Sequence, residues 1–317
     1  MAILNTVIPY ACRDRHALIR CARRRTVTGT APKDSSLTDQ PARQRQERWR
    51  DEASFFDKVA AGLRIQPTDP LALQRYSSGL RRRFLMEYRF LVAGGLHGKR
   101  VLDVGCGDGA NSVLLALLGA EVVGVDISPK LIEAAHSRAV ADQVAASCRF
   151  VCSPLETADL PANSFDIIWG DAVLHHLIPE LPALMKRLKF FAKPGALMIF
   201  AEPVSFNRTL RRLRLMLPLE TDHTPDERPL EWNEIDTLRR EIPDLRIRCF
   251  QLFGRLDRFT LVRCNYERSS WFRRALSNCW ALSDWLLLSI PGVQRLAGSA
   301  LLYGHCPRGA GESGNNS

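Results

Sequence analysis

Residues 99–128, KRVLDVGCGDGANSVLLALLGAEVVGVDIS, constrain the fold more than any other stretch of the chain. Val101, Leu102 and Val104 form a short apolar run, and glycines follow at Gly105, Gly107 and Gly109. Val113, Leu114, Leu115, Leu117 and Leu118 then give a strongly apolar helix, and a second apolar run at 121–125 closes on Asp126. The unit reads strand, loop, helix, strand. Glycine lets a backbone turn sharply and approach a ligand, because no Cβ stands in the way. The free N–H groups of the following helix point at the same place. An acid about 20 residues beyond such a loop can accept hydrogen bonds from a ribose diol, so the unit reads as a nucleoside-cofactor site.

Two cofactor classes fit. Gly105, Gly107 and Ala110 satisfy the relaxed dinucleotide pattern G-x-G-x-x-G/A, which admits an NAD-dependent oxidoreductase. The whole segment, with Asp103 two residues before Gly105 and a third glycine at Gly109, resembles motif I of the class I S-adenosylmethionine-dependent methyltransferases. VVGVDIS resembles the acidic-loop motif that follows it. Downstream, SFDIIWGDAVLHHL at 164–177 and KPGALMIFAEP at 193–203 resemble the fourth-strand and fifth-strand signatures of the same superfamily, in its ubiquinone/menaquinone-methyltransferase-like (type 11) branch. A dehydrogenase has no reason to carry the last two.

The resemblance implies an α/β fold, a Rossmann-like seven-stranded doubly wound sheet with an N-terminal helical lid and C-terminal helices. It implies S-adenosyl-L-methionine as cofactor, with contacts at Asp103, Gly105, Cys106, Gly107, Gly109, Asp126, Ile127, Ser153, Leu155 and Asp171. Asp103 is expected near the amino-acid end of the cofactor and Asp126 near the ribose hydroxyls. Ser153 stands where the family usually carries an acid against the adenine amino group, so backbone groups at Ser153 and Leu155, or the Glu156 side chain, are left to frame that ring. The loop after the fourth strand faces the transferred methyl group, since ligands of open α/β sheets bind outside the carboxyl ends of the strands. His176 and His175 on that loop are the candidate bases, a histidine being the side chain that exchanges protons near neutral pH. Asp171 and Glu202 come second. A scatter of His, Asp and Glu does not make a metal site, and none is expected.

The 317 residues are 46% hydrophobic and 25% charged, which suits a globular chain with a buried core. The net charge of +10 is uneven: residues 1–50 hold eleven Lys and Arg against four Asp and Glu. Residues 1–43 read as a solvated basic arm; attraction to an anionic surface and an organellar transit segment are the sharper alternatives. No basic patch interleaved with aromatics and no zinc-finger spacing points to nucleic acid. Nine cysteines without a C-x-x-C pair argue for reduced, buried thiols, hence a cytoplasmic protein, with peripheral membrane contact allowed.

In chain order, residues 44–94 carry helical spacing and read as the lid, with Arg75 and Tyr76 placed to touch substrate or cofactor. The core spans 95–265, with Ser128 as N-cap and Pro129 at the first helical position of the helix after Asp126. A helix is expected near 232–241, with strands six and seven at 245–252 and 258–264. An insertion at 204–230 contains a short basic amphipathic segment around Arg208, Arg211, Arg212 and Arg214. Residues 266–303, rich in Leu and Trp, read as two helices that either pack on the lid or lie at a membrane surface, with Trp at the interface and Arg toward headgroups. Asp284, Pro291, Gly292 and Arg295 interrupt the run too often for a membrane span. Residues 304–317 read as a disordered tail.

The expected activity is methyl transfer to oxygen or carbon of a small, hydrophobic, lipid-like acceptor. A degenerate methyltransferase fold acting as a binding or assembly module is the alternative, ahead of an NAD-dependent oxidoreductase.

Overall fold

Residues alternate between two apolar faces along the central strands, and this alternation builds the molecule. The computed structural model describes residues 40–77, 83–207, 228–262 and 265–307. Strands β1 (Arg100–Val104), β2 (Glu121–Asp126), β3 (Cys148–Cys152), β4 (Phe165–Asp171), β5 (Ala192–Pro203), β6 (Arg246–Phe250) and β7 (Ser299–His305) form a seven-stranded sheet among the described residues. Its order is β3-β2-β1-β4-β5-β7-β6. β1 to β5 run parallel, and β7 is antiparallel to both neighbours. This is the doubly wound, seven-stranded sheet expected above. The antiparallel strand between β5 and β6 sets it apart from the 3-2-1-4-5-6 order of a dinucleotide-binding sheet.

Val101, Ile167, Trp169, Ile199 and Leu301 pack on one face, while Leu102, Ile168, Phe200 and Leu302 pack on the other. A parallel sheet buried on both faces needs helices on both. The first face takes α3 (Leu85–Ala93) and α4 (Ala110–Leu117), through Phe90, Leu114 and Leu115. The second takes α6 (Leu181–Phe191) and α7 (Trp232–Glu241), through Leu184, Leu188, Ile235 and Leu238. α5 (Pro129–Ala141) lies beside α4 over β3, joined by Val113, Ala135 and Phe150. Its cap is the expected one: Leu131 N–H donates to Ser128 Oγ at 3.1 Å, with Pro129 opening the helix.

Ahead of the sheet stand α1 (Gln40–Ala60) and α2 (Pro70–Ser77), and between β6 and β7 lies α8 (Trp271–Leu287). Four expectations need correction here. Among the described residues, 258–262 do not supply the seventh strand: Asp257–Thr260 is a single helical turn, and the strand is Ser299–His305. The core therefore closes beyond 265, and the stretch 266–303 holds one long helix and then most of a strand rather than two helices. Leu301 and Leu302 reach the sheet interior from there. Gly304 and His305 belong to that strand rather than to a tail. Most of the N-terminal arm, the basic segment at 208–214 and the end of the tail lie outside the described residues.

Candidate active site

The carboxyl ends of β1 to β4 meet along one rim, and the glycine loop turns there. Gly105, directly after β1, has a φ of +63°, and a Cβ on it would stand 2.6 Å from Val173 Cγ2. Only glycine lets β1 feed the loop while the loop after β4 stays close. Gly109 serves a different end: at φ +75° it opens α4, and a Cβ would meet Ala135 Cβ at 2.8 Å. It lets two helices pack. The loop is then fixed to the end of β2. Cys106 N–H donates to the Val125 carbonyl at 3.0 Å, Gly107 N–H donates to Asp126 Oδ2 at 2.9 Å, and Ser128 N–H donates to Asp126 Oδ1 at 2.9 Å. Burial pushes the Asp126 carboxyl above its ordinary range, and those N–H groups offset part of the push.

A pocket of about 640 Å³, part of it open solvent, lies on this rim. Its floor is Val104, Gly105, Val125, Asp126 and Ile127, and its walls are Ser153 to Glu156 after β3 and Asp171 to Val173 after β4. Its roof is α1, through Trp49, Glu52 and Phe56. The helix is tied down at both ends of the roof. Arg48 pairs with Glu180 and with Glu156, the latter at 3.3 Å, and Trp49 Nε1 donates to Glu156 Oε1 at 3.4 Å. Asp57 Oδ1 accepts from Ser128 Oγ at 2.6 Å and from Lys130 N–H at 3.2 Å. Burial alone would lower the Arg48 pKa, but its bond to Glu180 and the charges of Glu180, Glu156 and Glu52 raise it overall.

The loop after β4 separates its two histidines. Glu202, buried near the end of β5, accepts N–H bonds from Val173 at 2.9 Å and Leu174 at 2.8 Å through Oε1. Its Oε2 lies 3.0 Å from His175 Nδ1. His175 is buried on that carboxylate, outside the pocket lining. His176 lines the pocket, edge-on to Phe56 with ring centroids 5.6 Å apart, and its Nδ1 is 3.9 Å from Glu52 Oε1. Adjacent residues on a short 3-10 turn thus divide the work: His175 and Glu202 hold the loop, and His176 is presented.

A second polar cluster stands beside Asp171. Asn111 Nδ2 donates to Asp171 Oδ2 at 3.0 Å, and Arg89 Nη1 lies 3.2 Å from the same oxygen. Arg89 is fully buried, its guanidinium 4.9 Å from the Trp169 ring centroid. Its Nη2 donates to Asn111 Oδ1 at 3.2 Å and to Met86 Sδ at 3.2 Å, while its Nε has no hydrogen-bond partner among the described residues.

Of the cofactor contacts expected from the sequence, Gly105, Asp126, Ile127, Ser153, Leu155 and Asp171 line the pocket. Asp103, Cys106, Gly107 and Gly109 do not line it. Asp103 is buried beneath the loop, accepting from Ser112 Oγ at 2.6 Å, and burial pushes its carboxyl up to about 7. Ser153 donates its hydroxyl to the Pro154 carbonyl at 2.9 Å. Tyr76 is core rather than lid, 4.8 Å from the Phe90 ring, and Arg75 pairs with Glu87 and Glu267. Sequence reasoning missed Arg89, Asn111 and Glu52. The one available signal was an arginine between Tyr88 and Phe90 in a helix whose other charged residue is Glu87. Among the described residues, no group of three or more His, Cys, Asp or Glu could hold a metal ion.

The arrangement offers an apolar slot under Trp49 and Phe56, a carboxylate at a strand end, and a second carboxylate, Asp171, backed by a buried guanidinium. These fit a nucleoside that carries an amino-acid tail. Residues 102–200 match the family model described as "Methyltransferase domain". A ubiquinone biosynthesis O-methyltransferase of Bradyrhizobium diazoefficiens is 32% identical over 165 residues, covering 52% of this chain and 62% of that protein. The same-named protein of Coxiella burnetii is 39% identical over 106 residues, or 33% of this chain and 44% of that one. The chain thus spans about half the length of these relatives. The geranyl diphosphate C-methyltransferase of Streptomyces coelicolor, solved with Mg2+, geranyl diphosphate and S-adenosyl-L-homocysteine, superposes with a TM-score of 0.52 at 14% identity. That match covers 82% of this chain and 98% of the other, and it shows the shared fold.

Proposed function

We propose that this chain, whose residues 102–200 form a methyltransferase domain on the class I S-adenosylmethionine-dependent fold, transfers a methyl group to oxygen or carbon of a small hydrophobic acceptor. One observation carries the reading: the roofed pocket at the carboxyl rim joins an apolar slot, the Asp126 carboxylate and the presented His176. The acceptor class draws on the relatives, which are ubiquinone biosynthesis O-methyltransferases.

When bound, S-adenosylmethionine supplies an electrophilic methyl group on a sulfonium. Asp126 would accept from the ribose hydroxyls, while Trp49, Ile127 and Leu155 enclose the base. Asp171, held by Arg89 and Asn111 from behind, would face the ammonium of the amino-acid tail. α1 closes over the pocket and excludes water, which strengthens every charge interaction beneath it. His176 receives the proton when the acceptor is a hydroxyl, and His175 with Glu202 fixes the loop that presents it. Holding acceptor and methyl donor in line contributes several kcal/mol by itself.

Incubation of the purified protein with methyl-labelled S-adenosylmethionine and phenolic quinone precursors bearing an isoprenoid tail tests the acceptor class. Label in an organic-extractable product is expected, with His176→Gln slowing turnover and sparing S-adenosylhomocysteine affinity. Tight cofactor binding without transfer to any such acceptor would overturn it.

A further inference from the structure

α8 is built inside out. Its polar residues Ser277 and Asp284 are buried. Ser277 Oγ donates to Asp257 Oδ2 at 3.0 Å, and the Asp284 carboxylate accepts N–H bonds from Leu252, Phe253 and Gly254 at 3.0, 2.7 and 3.0 Å. The opposite side exposes Phe272, Ala275, Cys279, Leu282 and Leu286, spaced three and four residues apart along one stripe. Phe272 is 61% exposed and Leu286 59%. From 275 to 290 the only charged residue is the buried Asp284.

At its start the helix carries Trp271, 75% exposed, and beside it lies Phe259, 74% exposed, on the turn joined to the helix by Arg273 Nη1 donating to the Thr260 carbonyl at 3.0 Å. The charged groups around these rings are Arg258, Arg273 and Arg274, whereas the acids at hand are engaged: Asp257 with Ser277 and Glu267 with Arg75. An apolar stripe about 21 Å long, ending in aromatic rings among arginines, matches a surface that is apolar inside and anionic at its skin. The stripe also sits in the right connection. β6 runs parallel to β5, so the chain leaves β6 at Phe250 and re-enters β7 at Ser299, opposite Pro203, on the rim that holds the pocket.

We propose that the exposed face of α8, with Phe259, Trp271 and the arginines at its start, docks the protein on an anionic lipid bilayer. The surface stands on its own geometry, whether or not the acceptor arrives through the membrane. The amphipathic helix would lie in the interfacial plane with Phe272, Leu282 and Leu286 below the headgroups and Arg258 and Arg273 among them.

Cosedimentation of the full chain with phosphatidylcholine vesicles, with and without phosphatidylglycerol, tests it, alongside sedimentation velocity and S-adenosylhomocysteine titration of each variant. Binding to the anionic vesicles that falls with salt is expected. Arg258→Glu should weaken it about fivefold or more, at one arginine's worth of surface attraction. Phe272→Glu with Leu286→Glu should abolish it while leaving nucleoside affinity, and hence the fold, unchanged. Absence of vesicle binding in low salt, or binding untouched by the double variant, would overturn the proposal. So would a dimer that the double variant converts to monomer, since the face would then belong to a second copy.

Discussion

Asp103→Asn should stabilise the protein increasingly as pH rises. The carboxyl is buried under the glycine loop and pushed up from 3.8 to about 7, first by burial, against the hydrogen bond from Ser112 and with the Asp171 charge adding to the rise. The folded protein therefore holds its proton more tightly than the unfolded chain does. Below about pH 3 both states are protonated and the group contributes nothing. As pH rises the unfolded chain ionises first, and stability is lost until the folded carboxyl ionises near 7. At 1.36 kcal/mol per unit, the cost is on the order of 4 kcal/mol above pH 7 and about 3 kcal/mol of it accrues between about pH 5 and pH 8. Asn keeps an acceptor for Ser112 and cannot ionise. Any fixed cost of seating its amide is the same at every pH, so the slope of the difference carries the test. Guanidinium unfolding of both proteins across that range should show the variant gaining on the parent with pH. A difference that stays flat would refute the buried, proton-retaining Asp103.

Three further changes probe the loop, the roof and the support beneath His176. Gly105→Ala combines a φ of +63° with a 2.6 Å approach to Val173, so calorimetry should show about 2 kcal/mol of destabilisation and weaker nucleoside binding. Glu202→Gln leaves the Val173, Leu174 and His175 groups short of charged acceptors; a loss of about 2 kcal/mol or more is expected in thermal unfolding, with a fall in kcat larger than the change in KM. Arg48→Ala removes a half-exposed tie between α1 and the pocket wall, so stability should change by less than about 1 kcal/mol while S-adenosylhomocysteine dissociates about fivefold faster in stopped flow.

Local signals were legible and distant ones were not. The glycine loop, the Ser128 cap and α7 at Trp232–Glu241 follow from residues within a few positions of one another. The last strand does not: Leu301 and Leu302 are as apolar as a helix face, and only pairing with β5 and β6, remote in sequence, makes them a strand. The same holds around the pocket. Asp126 and Asp171 stand at strand ends, a place readable from the strands themselves, whereas Arg89 gains its meaning from Asn111 and Asp171, brought to it by the fold. The two adjacent histidines carry one sequence signal but two fates, settled by Glu202 from the neighbouring strand. Asp103, a motif residue in sequence, is buried beneath the loop and spends its carboxylate on Ser112, while Gly107 N–H is held by Asp126.

Calorimetric titration of the purified chain with S-adenosylhomocysteine, with NAD as comparison and Asp126→Asn as control, bears most directly on the central claim. The account predicts binding of the homocysteine nucleoside and not of NAD, with the affinity falling at least about tenfold in the variant, the equivalent of one charge-assisted hydrogen bond. A preference for NAD, or binding of neither ligand to a folded protein, would contradict it.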